Sequence, residues 1–318
     1  MKTSLSIIIP VYNEEENCGL LVDQIRTALS DLQDFEVILV NDGSKDKSGE
    51  ILDSICAQDK RFKAVHFRRN FGQTAAMMAG IDYASGDIII SMDGDLQNDP
   101  QDIPLLLKKI NEGYDVCSGW RKDRKDNPFN RKLPSFIANL LISIISGVKL
   151  KDYGCTLKAY KRDVIKDVKL YGEMHRFIPI YASWLGARVT EIPVHHHPRI
   201  HGKSKYGIKR TIKVFLDLLV VKFFASYLQS PIYIFGGFGM VNFLVAAFAF
   251  GAMIYYKYWG DKSFIRTPLP MIVTLFLLMG FMSILIGLVA ELLMRTYYES
   301  QHKTSYLIHS TRNLENRF

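Results

Sequence analysis

Cysteine is scarce and never paired. Cys18, Cys56, Cys117 and Cys155 lie far apart, with no Cys-x-x-Cys and no metal-ligand spacing nearby. That pattern argues against a disulfide framework and suits free thiols in a reducing compartment. Glycine-rich phosphate loops are missing too. Neither Gly-x-Gly-x-x-Gly nor Gly-x-x-x-x-Gly-Lys-Ser/Thr occurs, which removes a dinucleotide fingerprint and a P-loop from consideration. There is no internal repeat and no low-complexity tract. The start, MKTSLSIIIPVYNEEEN, looks like a weak signal peptide. Its apolar run is too short and leads directly into acidic and amide residues without a small-residue cleavage site, so it reads as a first buried strand. With 48% hydrophobic residues among 318, the chain can bury one large core or two smaller ones.

Charge is absent from two long runs, residues 231–256 and 269–290. Each is long enough to cross roughly 30 Å of hydrocarbon as a helix. Two spans place both ends of the chain on one side. The connector carries Lys257, Asp261, Lys262 and Arg266. The opposite flanks carry Lys209, Arg210, Lys213 and Lys222 before, and Arg295, Lys303, Arg312 and Arg317 after. The positive-inside bias puts both termini in the cytoplasm. Tyr255, Tyr256, Tyr258 and Trp259 form an expected aromatic belt at the far interface. The net charge of +8 calls for anionic partners. The basic flanks of the apolar runs point to a lipid bilayer rather than nucleic acid.

Residues 207–229 place Lys209, Arg210, Lys213 and Asp217 on one helical arc and Ile208, Ile212, Phe215, Leu216, Leu219 and Phe223 on the other. This is the pattern of an interfacial amphipathic helix. Residues 135–148 are shorter and less charged, with a narrow polar stripe of Ser135, Asn139, Ser143 and Ser146. They fit either a core helix or one touching the membrane, and the preceding Arg131 and Lys132 favour the membrane.

The N-terminal half alternates short Ile/Val-rich runs (5–11, 36–41, 63–67, 87–92, 115–119) with helical patterns (14–30, 48–58, 73–84, 102–111). That alternation predicts an α/β domain with a mostly parallel, doubly covered sheet. The expected organisation is a domain over 1–206, an interfacial helix over 207–229, a two-helix membrane region over 230–294 and a tail over 295–318.

Ligands of such sheets bind beyond the carboxyl ends of the strands. Three of those ends are polar: PVYNEE at 10–15, VNDGS at 40–44 and DGDLQ at 93–97. Tyr12, Asn13, Glu14, Asp42, Asp93 and Asp95 are therefore expected to converge on one acidic crevice. Singly, each has a plainer reading: residues 41–44 make a good turn, and Glu14 to Glu16 suit a helix N-terminus. Carboxylates two apart, followed by Gln97, suit a hard cation such as Mg²⁺ or Mn²⁺. Asp99 with Pro100 is expected to start the next helix. The run His195–His197 cannot chelate one ion if extended, because neighbouring strand side chains point to opposite faces.

PVYNE at 10–14, VNDGS at 40–44 and DGD at 93–95 resemble the nucleotide-sugar glycosyltransferases of family 2, which have the GT-A fold. RRNFGQTAA at 68–76, DGDLQNDP at 93–100, DYGCTLKA at 152–159, HRFIP at 175–179, RIHGKSKY at 199–206 and ELLMR at 291–295 narrow the resemblance. With the two apolar runs, they look like the polyisoprenyl-phosphate glycosyltransferases, whose members include bactoprenol glucosyltransferases and dolichol-phosphate mannose synthases.

That resemblance implies roles. Pro10, Tyr12, Glu14 and Asp42 would hold the base and ribose. Asp93 would contact the ribose or the metal, and Asp95 and Gln97 would ligate the Mg²⁺ or Mn²⁺ on the diphosphate. Arg68 would face the phosphates. Asp152 would lie near sugar and acceptor as a catalytic or positioning group, alongside Asp95. Arg131, Arg176, Arg199, Lys203 and Lys205 would serve the acceptor phosphate and the leaving diphosphate, or else form a basic face against anionic headgroups. The implied reaction is inverting transfer of a sugar from a nucleotide-sugar donor to a polyprenyl phosphate. UDP-glucose is the favoured donor; GDP-mannose, UDP-N-acetylglucosamine and aminoarabinose donors remain alternatives. Processive polysaccharide synthases of the same fold typically carry Gln-x-x-Arg-Trp, which is absent. A non-catalytic nucleotide sensor or flippase scaffold is the rival from another class. Residues 306–309 are expected as a short strand pairing between chains, in a homo-oligomer.

Overall fold

A computed structural model describes residues 4–32, 34–122, 139, 142–143, 146–166, 174–198, 232–260, 263–300 and 306–314. Arg131, Arg199, Lys203, Lys205 and the amphipathic segment 207–229 lie outside them. The chain divides into two compact units. One comprises Met1–Lys222 with Thr304–Phe318, and the other Phe223–Lys303.

The first unit is an eight-stranded sheet in the order β7-β5-β6-β4-β1-β2-β3-β8. Its strands are β1 (Leu5–Val11), β2 (Phe35–Asn41), β3 (Phe62–Phe67), β4 (Ile88–Ser91), β5 (Val116–Trp120), β6 (Lys158–Lys161), β7 (Val189–Pro193) and β8 (Ile308–Arg312). Helices α1 (Cys18–Ala28), α2 (Ser48–Gln58), α3 (Gln73–Tyr83) and α4 (Ile103–Asn111) join the first five strands. β1, β2, β3 and β4 pair in parallel, as do β5 and β7. β6 runs antiparallel to both β4 and β5, and β8 antiparallel to β3. Six strands therefore share one direction.

Apolar runs become the central strands because both faces of the sheet are covered. Ile7, Ile8 and Ile9 of β1 are fully buried in succession, as are Val37 to Val40 of β2. Each such side chain contributes about 1.5–3 kcal/mol on leaving water. The Leu5–Val11 run is thus the middle of a sheet, as its shortness implied. α1 begins four residues later than the helical pattern at 14. The intervening backbone is used elsewhere: the Glu14 amide donates to Ser48 Oγ (2.9 Å) and the Glu15 amide to Asp46 Oδ2 (3.2 Å).

Chain order reverses direction across the sheet at β1, with β2 on one side and β4 on the other. Their carboxyl ends flank a topological switch point, the usual ligand crevice of open α/β sheets. The C-terminal strand forms as expected, slightly displaced, and pairs with β3 of its own chain at the edge of the sheet. Tyr306 just before it stacks on Phe67 with ring centroids 5.1 Å apart, and its hydroxyl bonds Asp82 at 2.7 Å. Part of the segment set apart as a tail is therefore sheet.

The second unit holds two helices long and apolar enough to cross a membrane, Phe235–Tyr258 and Leu269–Ala290 by hydropathy. Their full helical extents are Ile232–Tyr258 and Leu269–Ser300. Phe243 and Phe281 meet edge to face at 5.2 Å. The buried polar groups are satisfied within their own helices: Asn242 bonds the Phe238 carbonyl and Ser283 that of Met279, both at 2.7 Å. Most of the remaining apolar surface is exposed, as a lipid-facing pair requires.

Candidate active site

β1 leaves the sheet at Val11 and turns at Asn13, which holds φ at +54°. Non-glycine residues visit that region at a cost, and do so where surrounding bonds over-determine them. Here they do: the Asn13 amide donates to Ser44 Oγ (3.0 Å), and Asn13 Oδ1 accepts the Lys45 amide (2.8 Å). The β1 and β2 ends are laced together in this way. Gly43, with φ +65°, sits so close to Arg69 that a Cβ would lie 2.3 Å from its carbonyl carbon. Only glycine fits there.

Asp42 is buried, and its two oxygens accept the amides of Phe71 (2.6 Å) and Gly72 (2.9 Å). Burial raises its pKa against the pull of those amides. It anchors the loop leading into α3, and Gln73 at the head of α3 donates from Nε2 to Asp93 Oδ1 at 2.6 Å. One loop thereby ties the second strand end to the fourth.

β4 ends at Ser91 and delivers Asp93, Gly94, Asp95, Leu96 and Gln97. A Cβ on Gly94 would sit 3.2 Å from the Pro10 carbonyl, so the DGD turn lies directly against the β1 end. Leu96 also takes a positive φ, +59°, with its side chain buried in the core. Asp95 is buried and accepts the Gln97 amide at 3.2 Å. Burial and the Asp95 carboxylate push Asp93 up, against the Thr156 hydroxyl, Arg121 and Arg176. A buried carboxylate crowded by a second negative charge is a donor that a divalent cation relieves. Among the described residues no group of three or more His, Cys, Asp and Glu side chains could hold a metal. Asp93, Asp95 and the Gln97 amide oxygen still fit a cation that shares its shell with a diphosphate.

Asp152 is buried in a bidentate pair with Arg121, Nε to Oδ2 at 2.7 Å and Nη2 to Oδ1 at 2.9 Å. The pairing raises the Arg121 pKa despite burial. Lys158 is buried within the field of that pair, and its Nζ donates to the carbonyls of Tyr153 (3.1 Å) and Arg176 (3.4 Å). Burial brings Lys158 down to about 8, with Cys155 and Asp152 opposing and Arg176 and Arg121 reinforcing.

The structure thus gathers Asp93, Asp95, Asp152 and Arg176 at the β4–β5 side of the switch point. Tyr12 and Arg68 line a second stretch, a cleft of about 560 Å³ shared with Gly43, Ser44 and Asn70. Glu14 stands at the start of the β1 turn, accepting Asn17 Nδ2 at 2.6 Å. Asp99 caps a 3-10 turn at Pro100–Asp102 by accepting the Gln101 amide. His195 bonds Asp102 (2.8 Å) and His197 bonds Asp99 (3.0 Å), so the histidine run is dispersed. Around residues 135–148, Asn139 Nδ2 donates to the Lys151 carbonyl (2.8 Å), Ser143 Oγ to the Leu150 carbonyl (3.4 Å), and Ser146 Oγ accepts the Val148 amide (3.2 Å), so these three polar side chains bond to protein; Ser135 lies outside the described residues. Arg121, Gln73, Thr156 and Lys158 were missed. Arg121 follows an expected strand at its carboxyl end, and Gln73, Thr156 and Lys158 lie within the RRNFGQTAA and DYGCTLKA stretches, which assign them no role of their own.

The family description "Glycosyl transferase family 2" matches residues 6–169. The chain belongs to glycosyl transferase family 2. Its resemblance to polyprenyl-phosphate members of that family extends over nearly its whole length. Dodecaprenyl-phosphate galacturonate synthase of Rhizobium johnstonii is 44% identical over 96% of this chain and 91% of that protein. Undecaprenyl-phosphate 4-deoxy-4-formamido-L-arabinose transferase of Pseudomonas fluorescens is 37% identical over 96% and 88%. Among solved structures, glucosyl-3-phosphoglycerate synthase from Mycobacterium tuberculosis, in complex with Mn²⁺ and UDP-glucose, aligns with a TM-score of 0.53. It is 16% identical and covers 69% of this chain and 79% of that one. This glycosyl transferase family 2 protein therefore has the GT-A architecture, followed by two apolar helices.

Proposed function

We propose that the protein transfers a sugar from a nucleotide diphosphate sugar to the phosphate of a membrane polyprenol, inverting the anomeric centre. The observation that carries this reading is the Asp93–Asp95 pair at the switch point, with Arg121 and Arg176 beside it. A metal-diphosphate subsite next to fixed cations is what a leaving nucleotide needs. Membrane-length helices in the same chain suit an acceptor whose tail stays in lipid. The termini and the catalytic unit are assigned to the cytoplasm, on the distribution of Lys and Arg.

In this reading an oxygen of the acceptor phosphate attacks the anomeric carbon opposite the leaving group. The new bond forms as the bond from the anomeric carbon to the diphosphate oxygen breaks, releasing the nucleotide diphosphate. A phosphomonoester has a second pKa near 6, so it is largely dianionic at neutral pH and needs no strong base. Asp152, gripped by Arg121, orients rather than deprotonates. Arg121 and Arg176 offset the negative charge where two anions approach. Asp93, Asp95 and Gln97 would hold the divalent cation. When bound, that ion supplies Lewis-acid stabilisation to the departing diphosphate. Pro10, Tyr12, Glu14, Asp42 and Arg68 are assigned to the nucleoside and phosphates. Arg131, Arg199, Lys203 and Lys205 are assigned to the acceptor phosphate.

The donor is the point at which glucose yields first place. The 44% identical relative is a galacturonate synthase and the 37% identical one a formamido-arabinose transferase. UDP-galacturonate therefore heads the panel, ahead of the formamido-arabinose donor and UDP-glucose. Incubating detergent-purified protein with radiolabelled donors, Mn²⁺ and undecaprenyl phosphate tests the reading. A labelled lipid product supports it, whereas nucleotide binding without any product identifies a sensor.

A further inference from the structure

Asn41, the last residue of β2, uses its side-chain amide in both directions. Oδ1 accepts the Ser44 amide at 2.9 Å, which fixes the orientation of the group. Nδ2 then faces Nδ1 of His66 at 3.1 Å. Nδ1 has to accept, so the imidazole is neutral with its proton on Nε2. Nε2 faces Oδ1 of Asp53, on α2, at 3.2 Å. Burial disfavours the imidazolium of His66 in any case; Asp53 opposes that effect and Arg312 and His309 add to it.

Asp53 is in turn held by Arg312 of β8, Nε to Oδ1 at 3.0 Å and Nη2 to Oδ2 at 3.2 Å. A continuous polar chain therefore runs Arg312–Asp53–His66–Asn41–Ser44, and from Ser44 Oγ to the Asn13 amide. It crosses three strands and one helix, and it ends on the turn that contains Asp42 and Gly43. Every member except Asn13 lines the same cleft as Tyr12 and Arg68. The residue just before β8 reaches that cleft as well: the Arg68 amide donates to the Leu307 carbonyl at 3.1 Å. The segment from Leu307 to Arg312, after the second apolar helix, thus braces both loops assigned to the donor.

We propose that Asp53 and His66 are positioning residues through which the C-terminal strand sets the Asn41–Ser44 turn, so that donor affinity depends on Arg312. The inference rests on the donor site proposed above. Arg312 is half exposed and distant in sequence from every assigned site residue, so nothing in the strand-end motifs announces it. Arg312 and Asp53 reach the Asn41–Ser44 turn through His66, which predicts a selective kinetic signature.

The test uses the full-length protein in lipid nanodiscs with UDP-galacturonate, or the panel donor that proves active, and undecaprenyl phosphate. Arg312→Ala and Asp53→Asn should each raise the donor KM about tenfold, with kcat and acceptor KM within about twofold. Arg312→Lys, which keeps the charge but not the fork, should recover part of the loss, and calorimetric UDP affinity should follow the donor KM. An unchanged donor KM in both variants overturns the inference while leaving the site reading intact. So does a parallel loss of kcat, both KM values and melting temperature, which marks a merely structural role. Wild-type protein that neither binds UDP nor transfers any sugar overturns the site reading and this inference together.

Discussion

Arg121 and Asp152 meet as fork on fork, through two near-parallel hydrogen bonds of 2.7 and 2.9 Å, both side chains shielded from water. A lysine can match the charge but not the fork. Arg121→Lys should therefore keep the fold and lower kcat about 100-fold, the scale of a misplacement near 1 Å. Asp152→Asn should do the same, and the double variant should lose little more, because the two act as a unit. Steady-state rates of the three proteins check this.

Asp95→Ala should reduce transfer by about 100-fold or more, the usual effect of removing one electrostatic stabiliser. The variant should fold normally, which its thermal denaturation checks. Chelating divalent ions from the wild type should abolish activity, and Mn²⁺ should restore it. Titrating Mn²⁺ against both proteins, with UDP as reporter, separates lost metal affinity from lost fold.

Glu36 lies at the opposite end of the sheet from the site. Its Oε1 accepts Ser6 Oγ (2.5 Å), the Ser85 amide (2.7 Å) and Ser85 Oγ (2.8 Å), while Oε2 meets Lys63. Burial pushes its pKa up, but Lys63, Ser6 and Ser85 outweigh burial and hold it below the ordinary value. The folded carboxylate is therefore the favoured form. Its stabilisation is complete above the unfolded glutamate value, near 4.3, and is lost as pH falls through the depressed folded value. Glu36→Gln should cost about 2 kcal/mol at pH 7 and flatten the acid limb of a denaturation-against-pH curve. Transfer activity at neutral pH should survive.

Tyr306 closes the far edge of the sheet by stacking on Phe67 and bonding Asp82. Tyr306→Ala should cost about 3–5 kcal/mol, in the range of large aromatic truncations. Tyr306→Phe keeps the stack and should cost about 1 kcal/mol. Chemical denaturation of the two variants in detergent compares them.

The first half of the sheet was legible because its strands are apolar on both faces and its connections are short. Expected bounds for β1, β2, β3 and α2 agree with the structure to within a residue. β6 was not legible: Lys-Ala-Tyr-Lys reads as surface, yet Lys158 is buried against carbonyls and Tyr160 is fully enclosed. Its antiparallel insertion between β4 and β5 is what brings Asp152 to Arg121, so that pair could not be found from spacing. Asp93 and Asp95 were visible as a strand-end pattern. Asp42 was visible too, but not its grip on Phe71 and Gly72, which depends on how the next loop folds back. β8 was expected as a strand; its partner, β3, depends on tertiary structure that a local pattern does not carry.

The central claim is sugar transfer to a lipid phosphate through the Asp93–Asp95 site. The most direct measurement presents purified protein with radiolabelled UDP-galacturonate, Mn²⁺ and undecaprenyl phosphate, then follows label into the organic phase. The account predicts a lipid product that requires the polyprenyl phosphate, disappears on chelation and is lost in Asp95→Ala. Wild-type protein that gives no labelled lipid with any nucleotide sugar, or Asp95→Ala protein of full activity, would contradict it.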